Sequence, residues 1–137
     1  MKLLTAFIAV LLFTACKKET NTTNTPSGDP VPSGTVLVQG NLVGSGGHNV
    51  SGVVKVYSDN GNKTVRLENF STTNGPDLKV YLSKDINASA FINAGNLRST
   101  IGNQNYSLSG MPDFSQYRYV LIWCQQFGVL FGSAQVQ

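Results

Sequence analysis

The sequence predicts an all-β domain, an antiparallel β-sandwich of immunoglobulin-like size, and three observations predict it. Short runs rich in β-branched and aromatic residues recur between turn-forming clusters from Thr35 onward. Within those runs apolar and polar side chains alternate with period two, and almost nowhere does the 3.6-residue period of a helix replace it. Composition agrees: 41% of the residues are apolar and only 12% are charged, about half the usual quarter. The 137 residues suffice for one domain with a single core, and no repeat of solenoid period is present. The competing architecture is a small β-barrel.

The elements follow in order. Thr35 to Val43 is apolar and β-branched, a first strand ending at the loop Gly44-Ser45-Gly46-Gly47-His48. Val50 to Tyr57 alternates Gly52, Val54 and Val56 against Val53, Lys55 and Tyr57, and Ser58-Asp59-Asn60-Gly61-Asn62 supplies a tight turn. Lys63 to Phe70 returns with Val65 and Leu67 inward and Arg66 and Glu68 outward, so the two runs form an antiparallel hairpin. After the turn Thr73-Asn74-Gly75-Pro76, the run Asp77 to Ser83 points Leu78, Val80 and Leu82 inward. Ser83 to Asn96 reads as loop, with one helical turn around Ala88 to Ile92 as the alternative. Asn105 to Leu108 forms a short strand, Met111 to Ser115 a turn, and Val129 to Val136 the final strand. Before it, Tyr119 to Cys124 is apolar on both faces, as in a strand covered on both sides. Asp113-Phe114-Ser115-Gln116-Tyr117 has the spacing of an immunoglobulin tyrosine corner, but Tyr119 stands where its cysteine would be.

The amino-terminal stretch is an address. Met1-Lys2 followed by the apolar run Leu3 to Phe13 is far shorter than the roughly 20 residues of a membrane-spanning helix and reads as a signal peptide. Thr14-Ala15-Cys16 resembles the lipobox of bacterial lipoproteins, with Phe13 in place of the more usual leucine. That resemblance implies cleavage before Cys16 and its lipidation, with more than one acyl chain for stable anchoring. The ordinary alternative is a secreted protein cleaved nearby. Lys17 to Gly34 is polar and proline-containing, so the expected organisation is 1–15 signal peptide, 16–34 lipidated Cys16 and flexible tether, and 35–137 β domain.

Charge excludes one function class. Past Thr35 the seven basic residues and five acidic ones are scattered, which is no nucleic-acid footprint. The chain has two cysteines. With Cys16 taken by lipid, Cys124 is left as a free thiol, an intermolecular disulfide or a ligand. Its place, at the end of an apolar run and before Gln125-Gln126, is where a buried strand emerges toward a rim. The ordinary reading of an unpaired cysteine is a small apolar core residue. The single histidine, His48, follows a glycine-rich loop; it is either a loop residue or a group that approaches Cys124 to share a ligand or lower its pKa. Asp77 is expected to bond backbone amides in its turn, and Trp123 to pack in the core. Neither a nucleophile elbow around Ser51, nor a phosphate loop, zinc spacing or paired-carboxylate constellation is present, so no hydrolase or transferase site is read.

Four motifs nevertheless stand in order: His48-Asn49-Val50-Ser51-Gly52; Leu67-Glu68-Asn69-Phe70; Gly75-Pro76-Asp77-Leu78-Lys79-Val80-Tyr81-Leu82; and Ile122-Trp123-Cys124 through Phe127, Val129, Phe131-Gly132 and Ala134. Together, from about Gly40 to Val136, they resemble the DM-thirteen domain family. The resemblance implies an electron-transfer module, found beside DOMON domains in animal cell-surface proteins, with a near-invariant cysteine acting as a naked thiol or a haem ligand. By position that cysteine is Cys124. A haem would be held without covalent bonds, by Cys124 and His48, because no Cys-x-x-Cys-His attachment motif occurs.

The combined expectation is an envelope lipoprotein, on the outer membrane and facing the periplasm or the surface, with a redox domain acting through Cys124. Its partners would be the membrane through the lipid and a redox or envelope protein, with no nucleic acid and no metal. The alternative, of a different class, is a structural or interaction sandwich with an inert, buried Cys124.

Overall fold

Two antiparallel sheets face each other in a computed structural model that describes residues 28–137. The signal peptide, Cys16 and the tether up to residue 27 lie outside the described residues. The nine strands are β1 (Thr35–Asn41), β2 (Val43–Gly44), β3 (Val50–Asp59), β4 (Asn62–Thr72), β5 (Leu78–Ser83), β6 (Phe91–Asn96), β7 (Ile101–Leu108), β8 (Tyr119–Cys124) and β9 (Val129–Gln135). One sheet has the order β1-β3-β4-β7 and the other β2-β9-β8-β5-β6. Every paired strand is antiparallel, and the sheets do not close into a barrel.

The period-two pattern explains the core. Val54 and Val56 of β3, Val65 and Leu67 of β4, Leu78, Val80 and Leu82 of β5, and Val120, Ile122 and Cys124 of β8 all point between the sheets and are buried together. The β3–β4 hairpin turns on Asn60 and Gly61, both with positive φ (47° and 86°), as a tight hairpin turn requires. The first run does not remain one strand. It leaves the first sheet at Leu42, whose amide bonds the Gly52 carbonyl, and continues as β2 on the edge of the second sheet. Gln39 and the chain end at Gln137 then exchange two backbone bonds of 3.0 and 3.1 Å, which ties the two sheets along that side.

Two further strands differ from the sequence expectation. Ser83 to Asn96 contains no helical turn; residues 91–96 form β6, paired along the edge of β5 from Lys79↔Asn96 to Ser83↔Phe91. Strand pairing and the stacking of Phe91 on Tyr81 override the polar local composition there. β7 begins at Ile101 rather than Asn105, because its first half pairs with the end of β4 past a bulge at Asn69 (φ 49°).

Segment 28–34, read from composition as tether, lies on the domain. Gly28 forms a parallel bridge with Asn103, and the Asp29 amide bonds the Asn103 carbonyl at 2.9 Å. Arg66 Nη1 donates to the carbonyl oxygens of Asp29 (3.0 Å) and Pro30 (2.9 Å), while Asn105 Nδ2 donates to that of Pro30. Arg66 points outward from the core as its strand phase predicts, yet it is only 2% exposed because this strap covers it.

Candidate functional site at the three-loop end

One end of the sandwich gathers most of the residues singled out by the sequence. β8 ends there at Cys124, opposite Leu78, the first residue of β5. The loops 45–49, 73–77 and 125–128 meet around it: Thr73 N bonds the Asn49 carbonyl, Ser45 N the Phe131 carbonyl, and Gln125 N the Asp77 carbonyl.

Cys124 is the free cysteine of the described residues, and its exposure is 0%. It stands at the strand end that the sequence indicates, but its side chain belongs to the inner apolar cluster rather than to the rim. Among the described residues the sulfur has no hydrogen-bond partner.

His48 lies at the same end. Its ring stacks on Phe131 with centroids 3.6 Å apart and planes 10° from parallel, and its Nδ1 is 3.4 Å from Thr73 Oγ1. Phe131 reaches this position through a bulge. Ile122 pairs with Gly132 and Trp123 with Leu130, so Phe131 is the extra residue, and it joins the core cluster that holds Cys124. A Cβ on Gly75 would come within 2.9 Å of the Phe131 ring and 3.0 Å of Leu78, so any side chain there would have to displace the tips of both. The end above Cys124 is therefore plugged by Phe131, Leu78 and the Gly75 backbone, with His48 laid over Phe131. No hydrogen bond joins His48 to Cys124; they share an end and a packed intermediary.

Two residues differ in role from expectation. Asp77 does not bond turn amides through its side chain; it pairs with Lys79 Nζ at 2.7 Å, and Asn74 Oδ1 takes the amide of Gly75 instead. Trp123 is not in the core. It lies half-buried on the outer face of the second sheet, 6.4 Å from the Tyr81 ring, as the alternation from Cys124 demands. Ser51 lines a shallow cleft of about 370 Å³ with His48 but shares no bond with it.

A second, polar cleft of about 600 Å³ opens beside the same end, between loop 74–78 and the β6–β7 connection at 96–100. Neither cleft is lined by Cys124. Among the described residues no group of three or more His, Cys, Asp or Glu is arranged to hold a metal.

Phe131 and Thr73, the partners of His48, were not legible as such, nor was the approach of Gly75 to Phe131. Only the Gly-Pro turn hinted that a close approach was needed.

The four motifs are the framework of this end. Leu67 and Phe70 fill the core on either side of the Asn69 bulge, Glu68 binds Arg66 and Lys55 at 2.9 and 2.7 Å, and Gly132 admits Val50 of the facing sheet. A β-sandwich with a lone buried thiol beneath one loop end is the class that this geometry defines. The sequence model of the Electron transfer DM13 family matches residues 42–136. The chain belongs to that family. No curated protein and no solved structure matches it.

Proposed function

We propose that this chain is a cell-envelope lipoprotein, anchored through Cys16, whose domain takes part in electron transfer or thiol exchange through Cys124. Membership of an electron-transfer family carries the redox part of this reading. The position of Cys124 supports it: the thiol ends β8, directly before the exposed turn at 125–128.

In the exchange reaction Cys124 loses its proton to solvent, and the thiolate attacks one sulfur of a partner protein's disulfide. That S–S bond breaks, Cys124 is oxidised into a mixed disulfide, and the leaving sulfur is reduced and takes up a proton. Because the thiol is enclosed, the step needs local opening of the three-loop end.

The residues of this end do not fit a haem in this conformation. The Cys124 sulfur faces the packed core, neither cleft borders it, and His48 gives one ring face to Phe131. Absorption titration of haem into the parent and Cys124→Ser proteins tests it directly: a saturable shift lost in the variant would require both a thiolate ligand and an opened end.

A second reading has its own observation. Complete burial of Cys124 suits an interaction module in which the thiol is packing. Alkylation without denaturant separates the two. The redox reading expects Cys124 to react at a rate set by local opening, independent of low urea concentrations; labelling that appears only with global unfolding supports the interaction module and ends the thiol mechanism. The anchor is tested apart from both, by the mass of the residue-16 peptide from membrane fractions.

A further inference from the structure

We infer that the three-loop end holding Cys124 and His48 faces the membrane, with Phe127 against the lipid surface. This rests on the lipid-anchor reading of Cys16 and adds to it an orientation.

The strap decides the direction. Gly28 meets Asn103, two residues from the start of β7, and the strap then runs parallel to β7, past Asn105 at Pro30, so that Gly34 arrives beside Ser58 at the opposite end. β7 itself starts at the three-loop end, where Ile101 pairs with Ser71 and the Thr72 amide bonds the Thr100 carbonyl. Gly28, the first described residue and the point of exit toward Cys16, therefore lies at the three-loop end.

Length makes the choice costly to reverse. Eleven residues, and so twelve Cα steps, separate Cys16 from Gly28, a reach of at most about 43 Å even fully extended. β4, with 11 residues, spans about 37 Å of the domain. Turning the opposite end to the membrane would use nearly the whole reach in running back along the domain. With the three-loop end down, the link need cover only the gap to the lipid.

The strap cannot swing easily. Arg66 holds the carbonyls of Asp29 and Pro30, and the Asp29 carboxylate binds both Arg98 and the Asn105 amide. At the tip, Phe127 is 65% exposed, with Val129 and, elsewhere at the same end, Ile101 also exposed. The opposite end exposes Ile86 and Met111 too, so apolar exposure does not choose between the ends. The point of exit does.

The test uses the full chain, purified from membranes with its lipid and reconstituted into phosphatidylglycerol–phosphatidylethanolamine vesicles with brominated acyl chains. The single tryptophan is moved to either end, as Trp123→Phe with Phe127→Trp or Trp123→Phe with Met111→Trp. Bromine-dependent loss of emission in the Phe127→Trp protein and none in the Met111→Trp protein is the expected result. Loss only in the Met111→Trp protein, equal loss in both, or loss in neither overturns the orientation. Should either variant fail to fold, amide exchange of the unaltered chain on vesicles replaces it, with slowing expected at 125–128 and not at 109–116; the reverse, or no slowing, overturns the orientation. An unacylated Cys16 by mass overturns the anchor and the orientation together, whereas an acylated Cys16 with the wrong end quenched overturns the orientation alone.

Discussion

The two outer faces of the sandwich bury an outward-pointing side chain to the same degree by opposite means. On the first sheet Arg66 is 2% exposed, and its cover is polar: two strap carbonyls, Asn105 Oδ1 and Glu68. On the second sheet Tyr81 is also 2% exposed, and its cover is aromatic, with Phe91 stacked 4.0 Å away and Trp123 at 6.4 Å. A guanidinium out of water must have its donors matched, so the first face needed a strap that supplies oxygens. The ring of a tyrosine is covered by other rings, which β6 and β8 bring within the sheet itself. The difference teaches that a strand's outward phase says where a side chain points and not whether water reaches it.

Breaking the first face should cost most. Arg66→Ala removes the donor from the Asp29 carbonyl and Asn105 Oδ1, leaves Glu68 to Lys55 alone and the Pro30 carbonyl to Asn105 Nδ2 alone, and should cost about 3 kcal/mol of stability, read as a lower urea midpoint with unchanged slope. A loss under half of that would mean that the strap is ornamental. On the aromatic face, Tyr81→Leu keeps the apolar bulk and removes the stacking, for which about 1–2 kcal/mol is expected in the same assay. If it costs as much as Arg66→Ala, the contrast between the faces is wrong.

The smallest effect belongs to the rim of the strap. Asp29→Asn removes the half-exposed ion pair with Arg98, and about 0.5 kcal/mol is expected after solvent screening. This term carries a pH signature. The Arg98 bond, with the Asn105 amide after it, holds the Asp29 carboxyl below the ordinary aspartate value of 3.8. A folded-state pKa below the unfolded one means that the stabilisation is present above pH 3.8 and is lost as pH falls through the lowered value. The gap between wild type and Asp29→Asn in urea midpoint should hold from pH 7 down to about 4 and close below it. Glu68 acts in the same direction; its burial pushes its pKa up, but the bonds from Lys55 and Arg66 outweigh this and the net shift is downward. A gap that widens in acid would contradict the assignment of the Arg98 pair as stabilising.

Much of the framework was legible in the residues. The hairpin through Asn60-Gly61, the inward sets of β4 and β5, the alternating sets of β3 and β8 without their inward side, and the sandwich class follow from period-two alternation and turn chemistry, which are local. β6 was not legible, because Phe91 to Asn96 contains two asparagines and a glycine and becomes a strand only where the edge of β5 pairs with it. The site was legible in part. Cys124 could be placed at a strand end by its neighbours, but its full enclosure depends on Phe131 entering through a bulge that no periodicity announces.

By itself, then, the sequence determined the all-β class, the phase of the main strands, the family through four ordered motifs, and the presence of a cysteine, Cys124, at the end of β8. Tertiary structure alone decided that Leu42 carries the chain from one sheet to the other, that His48 lies on Phe131, and that Gly28 to Pro30 is clamped by Arg66. The reason is one of range. Alternation and turn propensity act between residues a few positions apart, whereas Arg66 finds its carbonyls 36 and 37 residues away, a partnership that exists only once β4 and β7 have paired and the strap lies on them.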